Sequence, residues 1–394
     1  MIQSLDLHTV GDIFNLFFDQ YAKQFGPLPK HHYAAANAIM NCRTPKLGGH
    51  SYKCSSCSRE MTLYNSCRNR HCPLCQGAAR AKWVNKRMKE ALPVHYFHVV
   101  FTIPHQLNGI ALRNKKVFYN LMFKAVSQTL LSLAGDPKRL GGETGFTLVL
   151  HTWGQNLMDH PHIHCIIPGG AFMEKENGWK MCKEDFLFPV EVVKKLFRGK
   201  FMDYFMKAVK NGSIKPFFTA KEDLCSFDDL LKTLYKKKWV VSIRKPFQSP
   251  LKLLKYLSRY THRVAISNSR IIKVENGKVT FLYKDYADHG KQKTMTVTAV
   301  EFIRRFMLHI FPDGFMHIRQ YGFLSNRGKK KILSRIRDIL DRRGEIETRI
   351  NIEKALRADS CVDNTMQCSC GMGIFYKYRE VFAVINDPKP VVID

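Results

Sequence analysis

Two cysteine knuckles, Cys54-x-x-Cys57 and Cys72-x-x-Cys75, lie 14 residues apart near the start of the chain. Each pair bends the backbone so that both sulfurs face one ion, and a tetrahedron needs two such pairs. The spacing therefore predicts a four-thiolate zinc ribbon. Cys42, His50, Cys67 and His71 interleave with these residues. They predict a second site of Cys2His2 type, with Cys42 and His50 on one arm and Cys67 and His71 on the other. The alternative is that the histidines are surface residues near DNA and the two cysteines small core fillers. One or two structural zinc ions follow. Cys361, Cys368 and Cys370, close to the C-terminus, have no clear fourth ligand, so they read as leftover core or surface thiols. Arg68 and Arg70 inside the ribbon add local positive charge, which suits a DNA-contacting module more than a catalytic one.

A different chemistry is suggested by His160-Pro161-His162-Ile163-His164. On a strand the period of two puts His162 and His164 on one face, where two imidazoles can grip one divalent ion while Ile163 turns into a core. His160 joins them if the strand starts early enough. Histidines without a ligand role are common on sheets, so the pair alone decides little. A second element adds to it. In the segment 251–262, LKLLKYLSRYTH, Tyr256 and Tyr260 are four apart and share a helical face, with Lys252 one turn earlier. They could be an aromatic core stripe. Against that, Leu253, Leu254 and Leu257 already supply an apolar face, and Lys255, Arg259 and Arg263 stud the helix. A tyrosine beside basic groups and a metal can attack a phosphodiester and keep the 5′ phosphate as a phosphotyrosine.

These residues need positioning elements. Helices are expected at 9–24, 30–41, 78–92, 115–133, 251–262 and 298–311. Strands are expected at 95–104, 145–153, 162–170, 263–267, 270–274, 278–284 and 293–297. The stretch 171–240 reads as short strands and helices of uncertain role. Lys plus Arg number 63 against 33 Asp plus Glu, a net charge of +30, which calls for an acidic polymer as partner. The apolar and aromatic content excludes global disorder. No uninterrupted apolar run of about 18 residues argues for a membrane span, and the N-terminus does not resemble a secretory signal.

Taken together, the motifs resemble the rolling-circle insertion-sequence transposases that carry an N-terminal zinc ribbon, a His-hydrophobic-His motif and paired tyrosines. The resemblance rests on Cys42 through Cys75 with NSCRNRHCPLCQ (65–76), HTWGQNLMDHPHIHCIIPGG (151–170), YLSRYTHRVAIS (256–267) and FIRRFMLHIFPDGFMHIRQYGFLSNR (302–327). It covers about residues 20 to 330. It implies an α+β fold, with a central antiparallel sheet nuclease domain of the relaxase and replication-initiator type, preceded by a helical and zinc-ribbon module. It implies Mg2+ or Mn2+ held by His162 and His164, with His151 as first choice for the third ligand and His160 next. Tyr256 and Tyr260 become nucleophiles. Gln155 and Asn156 would orient the phosphate or a ligand, and Arg259, His262 and Arg263 would contact phosphate or position the helix.

The expected domains are a helical region at 1–41, the zinc ribbon at 42–77, a basic linker helix at 78–92, the catalytic domain at 93–297 and a basic DNA-binding region at 298–394. In the last, Arg327, Lys329, Lys330 and Lys331 are expected along phosphates, with a solvated helix face as the alternative. The expected partners are single-stranded or hairpin-containing element ends and a second copy of the chain, in a prokaryotic cytoplasm. A plasmid replication initiator or relaxase would use the same chemistry. A noncatalytic DNA-binding protein is the reading from another class.

Overall fold

The computed structural model describes residues 9–183, 186–216, 226–247, 265–286, 288–325, 328–342 and 367–383. In chain order the described helices are α1 (Val10–Phe25), α2 (Lys30–Met40), α3 (Gln76–Met88), α4 (Asn108–Arg113), α5 (Lys115–Gly135), α6 (Val190–Lys210), α7 (Phe227–Lys236), α8 (Ala299–Met307) and α9 (Lys329–Asp341). The strands are β1 (Gly49–Cys54), β2 (Glu60–Tyr64), β3 (Tyr96–Thr102), β4 (Gly145–Trp153), β5 (Asp159–Pro168), β6 (Gly170–Met173), β7 (Gly178–Met181), β8 (Val240–Phe247), β9 (Ile271–Glu275), β10 (Lys278–Asp285), β11 (Lys291–Thr298), β12 (Ile318–Gly322) and β13 (Phe375–Val381). None of these helices is long and apolar enough to cross a membrane. The chain divides into two compact units that interleave in sequence. One comprises Met1–Ala79, His262–Ile310 and Asp359–Asp394, and the other Arg80–Thr261 and Phe311–Ala358. This division differs from the boundaries expected at residues 93, 297 and 298.

In the first unit, α1 begins at a reciprocal cap. The Asp12 amide donates to Thr9 Oγ1 at 3.1 Å, and the Thr9 amide donates to Asp12 Oδ2 at 3.2 Å. Its buried stripe, Val10, Ile13, Phe14, Phe18 and Tyr21, follows the helical period. Phe14 meets the Phe306 ring of α8 edge-on at 5.3 Å. β9, β10 and β11 form an antiparallel meander, and β13, β1 and β2 a second three-stranded sheet with β1 central. β13 therefore joins residues of the N-terminal knuckle region to a segment more than three hundred positions later.

The second unit is built on a five-stranded antiparallel sheet, ordered β12-β4-β5-β3-β8. Alternation assigns its two faces. Phe97, Val99 and Phe101 of β3, Phe146, Leu148 and Leu150 of β4, and Ile163, Cys165 and Ile167 of β5 all enter one core with α5 and α6. That core is aromatic, and the Phe118 ring of α5 lies 5.4 Å from Phe201 of α6. The opposite face carries His98, His151, His162 and His164. Farther along the same face, Tyr96 and Ile166 pack into a second cluster with Phe172, Trp179, and Leu333, Ile336 and Leu340 of α9. β5 starts at Asp159, three residues before the strand expected at 162, which brings His160 onto it. One long helix, α6, occupies part of the stretch that reads as short elements in the sequence.

Candidate functional site

The sheet register builds the histidine face. His151 of β4 pairs directly with His162 of β5, and His98 of β3 lies diagonal to His164. The ligand-capable ring nitrogens of His151, His162 and His164 fall within 4.8 Å of one another. Their rings approach edge-on at 4.6 to 5.4 Å between centroids. His160 lies on the same strand, with its ring 5.1 Å from that of His162, but stands outside this group of three. Its backbone takes part differently, since the His160 carbonyl accepts from His162 Nδ1 at 2.7 Å.

His98 had no place in the sequence reading, although it is buried and central to the face. Its Nε2 is 2.8 Å from Nδ1 of His164, and the two rings stack at 5.1 Å. The signal available was the period-two placement of His98 in HYFHVVF, within the strand expected at 95–104. Burial pushes His98 and His162 down to about 4, with the Arg244 charge adding to the effect on His98. Burial and the neighbouring histidines hold His164 well below its usual value. These imidazoles are therefore neutral at pH 7, the form in which a ring nitrogen binds a cation. Arg244 of β8 is opposite His98 in the register and is exposed. It too was missed, because nothing in the sequence says which strand borders β3. Gln155 and Asn156 lie in the turn between β4 and β5, where Asn156 Oδ1 accepts from the Met158 amide at 3.1 Å.

The cysteines group otherwise than their spacing predicts. Cys42, Cys67, Cys72 and Cys75 converge, and so do Cys54, Cys57, Cys368 and Cys370, each set within 4.8 Å. The two N-terminal knuckles thus serve different clusters. The reason is local: β1 carries Cys54 away from Cys72, while Cys42 at the end of α2 and the loop holding Cys67 close on the second knuckle. In the first cluster Cys42 and Cys67 lie 3.5 and 3.6 Å from Cys75. A tetrahedron with metal–sulfur bonds of about 2.3 Å places its sulfurs about 3.8 Å apart. Burial pushes Cys67 up to about 12 and raises Cys72 as well, an arrangement that a cation among the sulfurs would reverse. His50, on β1 between Leu63 and Glu380, and His71 join neither cluster among the described residues. The Cys2His2 expectation is therefore replaced by an all-sulfur set.

The basic candidates separate likewise. Arg68 is exposed and takes a left-handed backbone at φ 54°, and Arg70 is half-buried. Lys329 is not turned to solvent: its ammonium lies 2.8 Å from Glu90, with both side chains about 15% exposed. Arg335 stacks over the Phe172 ring, and Arg337 donates to the Lys89 carbonyl. Lys330 and Lys331 are exposed. The basic run is thus a packed helix with two exposed lysines, because Leu333, Ile336 and Leu340 anchor it to the sheet. Tyr256, Tyr260, Lys252, Arg259, His262, Arg263, Arg327 and Cys361 lie outside the described residues.

Comparison with known proteins adds five findings. A family described as a putative transposase matches residues 145–331, and one described as a transposase zinc-binding domain matches residues 13–103. The chain is 46% identical over 333 residues to the putative transposase y4qJ of Sinorhizobium fredii (strain NBRC 101917 / NGR234), covering 84% of each protein. It is 27% identical over 307 residues to the transposase for insertion sequence element IS801 of Pseudomonas savastanoi pv. phaseolicola, covering 77% of this chain and 72% of that one. No solved structure matches. The matched zinc-binding segment and the four converging sulfurs within it support structural zinc in the N-terminal module.

Proposed function

Because the chain belongs to a family of bacterial transposases, we propose that it nicks single-stranded DNA at the ends of a mobile element by tyrosine attack and transfers the strand. The observation that carries this reading is the convergence of three imidazoles, His151, His162 and His164, on one sheet face. They would hold the divalent cation, and His160 would not. The donor set fits such an ion, and all-nitrogen ligation suits Mn2+ better than Mg2+, which favours oxygen. When bound, the cation acts as a Lewis acid on the scissile phosphate.

The chain's own residues supply the rest. Arg244, beside His98, would pair with a phosphate oxygen on the same face. Tyr256 or Tyr260 attacks through its phenolate oxygen, forming an O–P bond while the bond from phosphorus to the 3′ oxygen breaks. The phosphate stays on tyrosine as a 5′-phosphotyrosine, and the departing oxygen takes up a proton to leave a 3′-OH. The second tyrosine allows another strand to be captured before the first is released. Lys252, Arg259 and Arg263 would contact the backbone near this step. Cys42, Cys67, Cys72 and Cys75 would hold zinc as a structural ion. The bacterial source of the relatives supports a cytoplasmic setting, and two element ends would call for two copies of the chain.

The test is incubation of the protein with labelled single-stranded DNA from the element ends and Mn2+, followed by denaturing electrophoresis. A metal-dependent band at protein mass, absent from the Tyr256→Phe/Tyr260→Phe double variant, is expected. Tight binding with no covalent band on a correct end would replace catalysis with DNA binding alone.

A further inference from the structure

We infer that Cys54, Cys57, Cys368 and Cys370 form a second zinc site, which clasps the C-terminal strand β13 to the N-terminal ribbon. Two of its ligands lie inside the matched zinc-binding segment 13–103, and two lie far beyond it. The inference is independent of the nuclease reading, because it rests on the sulfurs alone.

Cys54 Sγ is 3.8 Å from Cys370 Sγ, and Cys57 Sγ is 3.7 Å from Cys368 Sγ. Those separations match the edges of a thiolate tetrahedron around zinc, about 3.8 Å, and all four cysteines are free thiols. Each arm is a turn shaped for the purpose. The Ser56 amide points at Cys54 Sγ from 3.4 Å, and the Cys54 amide donates to the Arg59 carbonyl at 2.9 Å. On the other arm the Gly371 amide donates to the Cys368 carbonyl at 3.0 Å, and the Cys368 amide to the Gly373 carbonyl at 2.8 Å. Gly373 is needed for the approach, since a Cβ there would stand 2.4 Å from Cys54 Sγ. The arms are joined by backbone as well. The Ser55 amide donates to the Ile374 carbonyl at 3.0 Å, the Ile374 amide donates to Ser55 Oγ at 3.2 Å, and Cys54 pairs with Phe375. Arg59 also bonds to Ser369. A four-sulfur set selects zinc or iron, and zinc has no redox demand and accepts a closed tetrahedron.

The experiment measures metal per chain in the full-length protein by plasma mass spectrometry. Two zinc ions are expected in the native chain, and one in Cys368→Ser/Cys370→Ser. The Cys67→Ser/Cys75→Ser variant should also fall to one, from the other cluster. One zinc in the native chain, an unchanged count in the Cys368/Cys370 variant, or iron in place of zinc would overturn the proposal. A variant that failed to fold is covered by alkylating the native protein and mapping the labelled cysteines. Cys57 is exposed, yet as a zinc ligand it should resist alkylation until a chelator is added. Rapid labelling of Cys57 with zinc still fully bound would overturn the assignment equally.

Discussion

A carbonyl oxygen can only accept, so the contact between the His160 carbonyl and His162 Nδ1 places the proton on Nδ1. His162 then offers the lone pair of Nε2. The same reasoning applied to His164 makes His98 the deciding residue. If His164 donates its Nδ1 proton to Nε2 of His98, its own Nε2 is left for a cation; the reverse arrangement would block it. His98 thus acts as a positioning residue of the kind that commonly tunes a metal ligand. His98→Ala is expected to weaken Mn2+ binding about tenfold to a hundredfold. His98→Gln, which retains an acceptor, should recover part of that loss; calorimetric titration of both variants checks it. The histidines also set a pH dependence. His98 and His162 titrate at about 4 in the folded chain, against 6.5 for an ordinary histidine. Between these values the unfolded chain binds protons that the folded one does not, so stability falls as pH drops through that window and is unaffected above it. With zinc retained and no other divalent ion added, thermal midpoints from pH 7 to pH 4 should trace this slope. His98→Gln should flatten it.

The elements that carry those residues were legible to different degrees. The expectation of a strand at 145–153 agrees with β4, and the face of His162 and His164 followed from the period of two, because Ile163 and Ile167 had to turn inward. The face of His98 was legible from the same alternation, but its approach to His164 and Arg244 was not, since register between β3, β5 and β8 is set by tertiary packing and leaves no mark in any one segment. α6 was obscured by Gly199 at its centre and valines at its start, although Phe197, Phe201 and Phe205 repeat every fourth residue. Two predictions belong at this level. Gly322 ends β12 at φ 60°, and a Cβ would fall 1.7 Å from the Thr144 carbonyl oxygen. Gly322→Ala should therefore force β12 away from β4 and lower unfolding stability by about 2 kcal/mol or more, read by urea denaturation. On α9, Lys330→Glu/Lys331→Glu should weaken DNA binding with little change in stability. Lys329→Ala should instead cost on the order of 1–2 kcal/mol by leaving Glu90 half-compensated, with Arg87 still 2.8 Å away.

For the whole molecule, the net charge of +30 already pointed to DNA, and membership of a transposase family agrees. Affinity for single-stranded DNA should consequently fall by about 300-fold to 10,000-fold between 50 and 200 mM salt if about six to ten phosphates are contacted. Fluorescence anisotropy across that range measures the slope, and a shallow one would mean few contacts. The grouping of the cysteines shows where sequence spacing loses its force. Two adjacent knuckles look like one site until strand pairing is known, and only the pairing of β1 with β13 reveals what Cys54 faces. That pairing also has a consequence in time. Cys57 and its partner Cys368 are separated by 311 positions. At roughly 5–20 residues per second, a ribosome takes about 15–60 seconds to pass from one to the other. Throughout that interval a nascent chain exposes half a metal site, and a message broken before Cys368 yields a protein that never completes it. The clasp therefore marks, on each molecule, whether translation ran past Cys370.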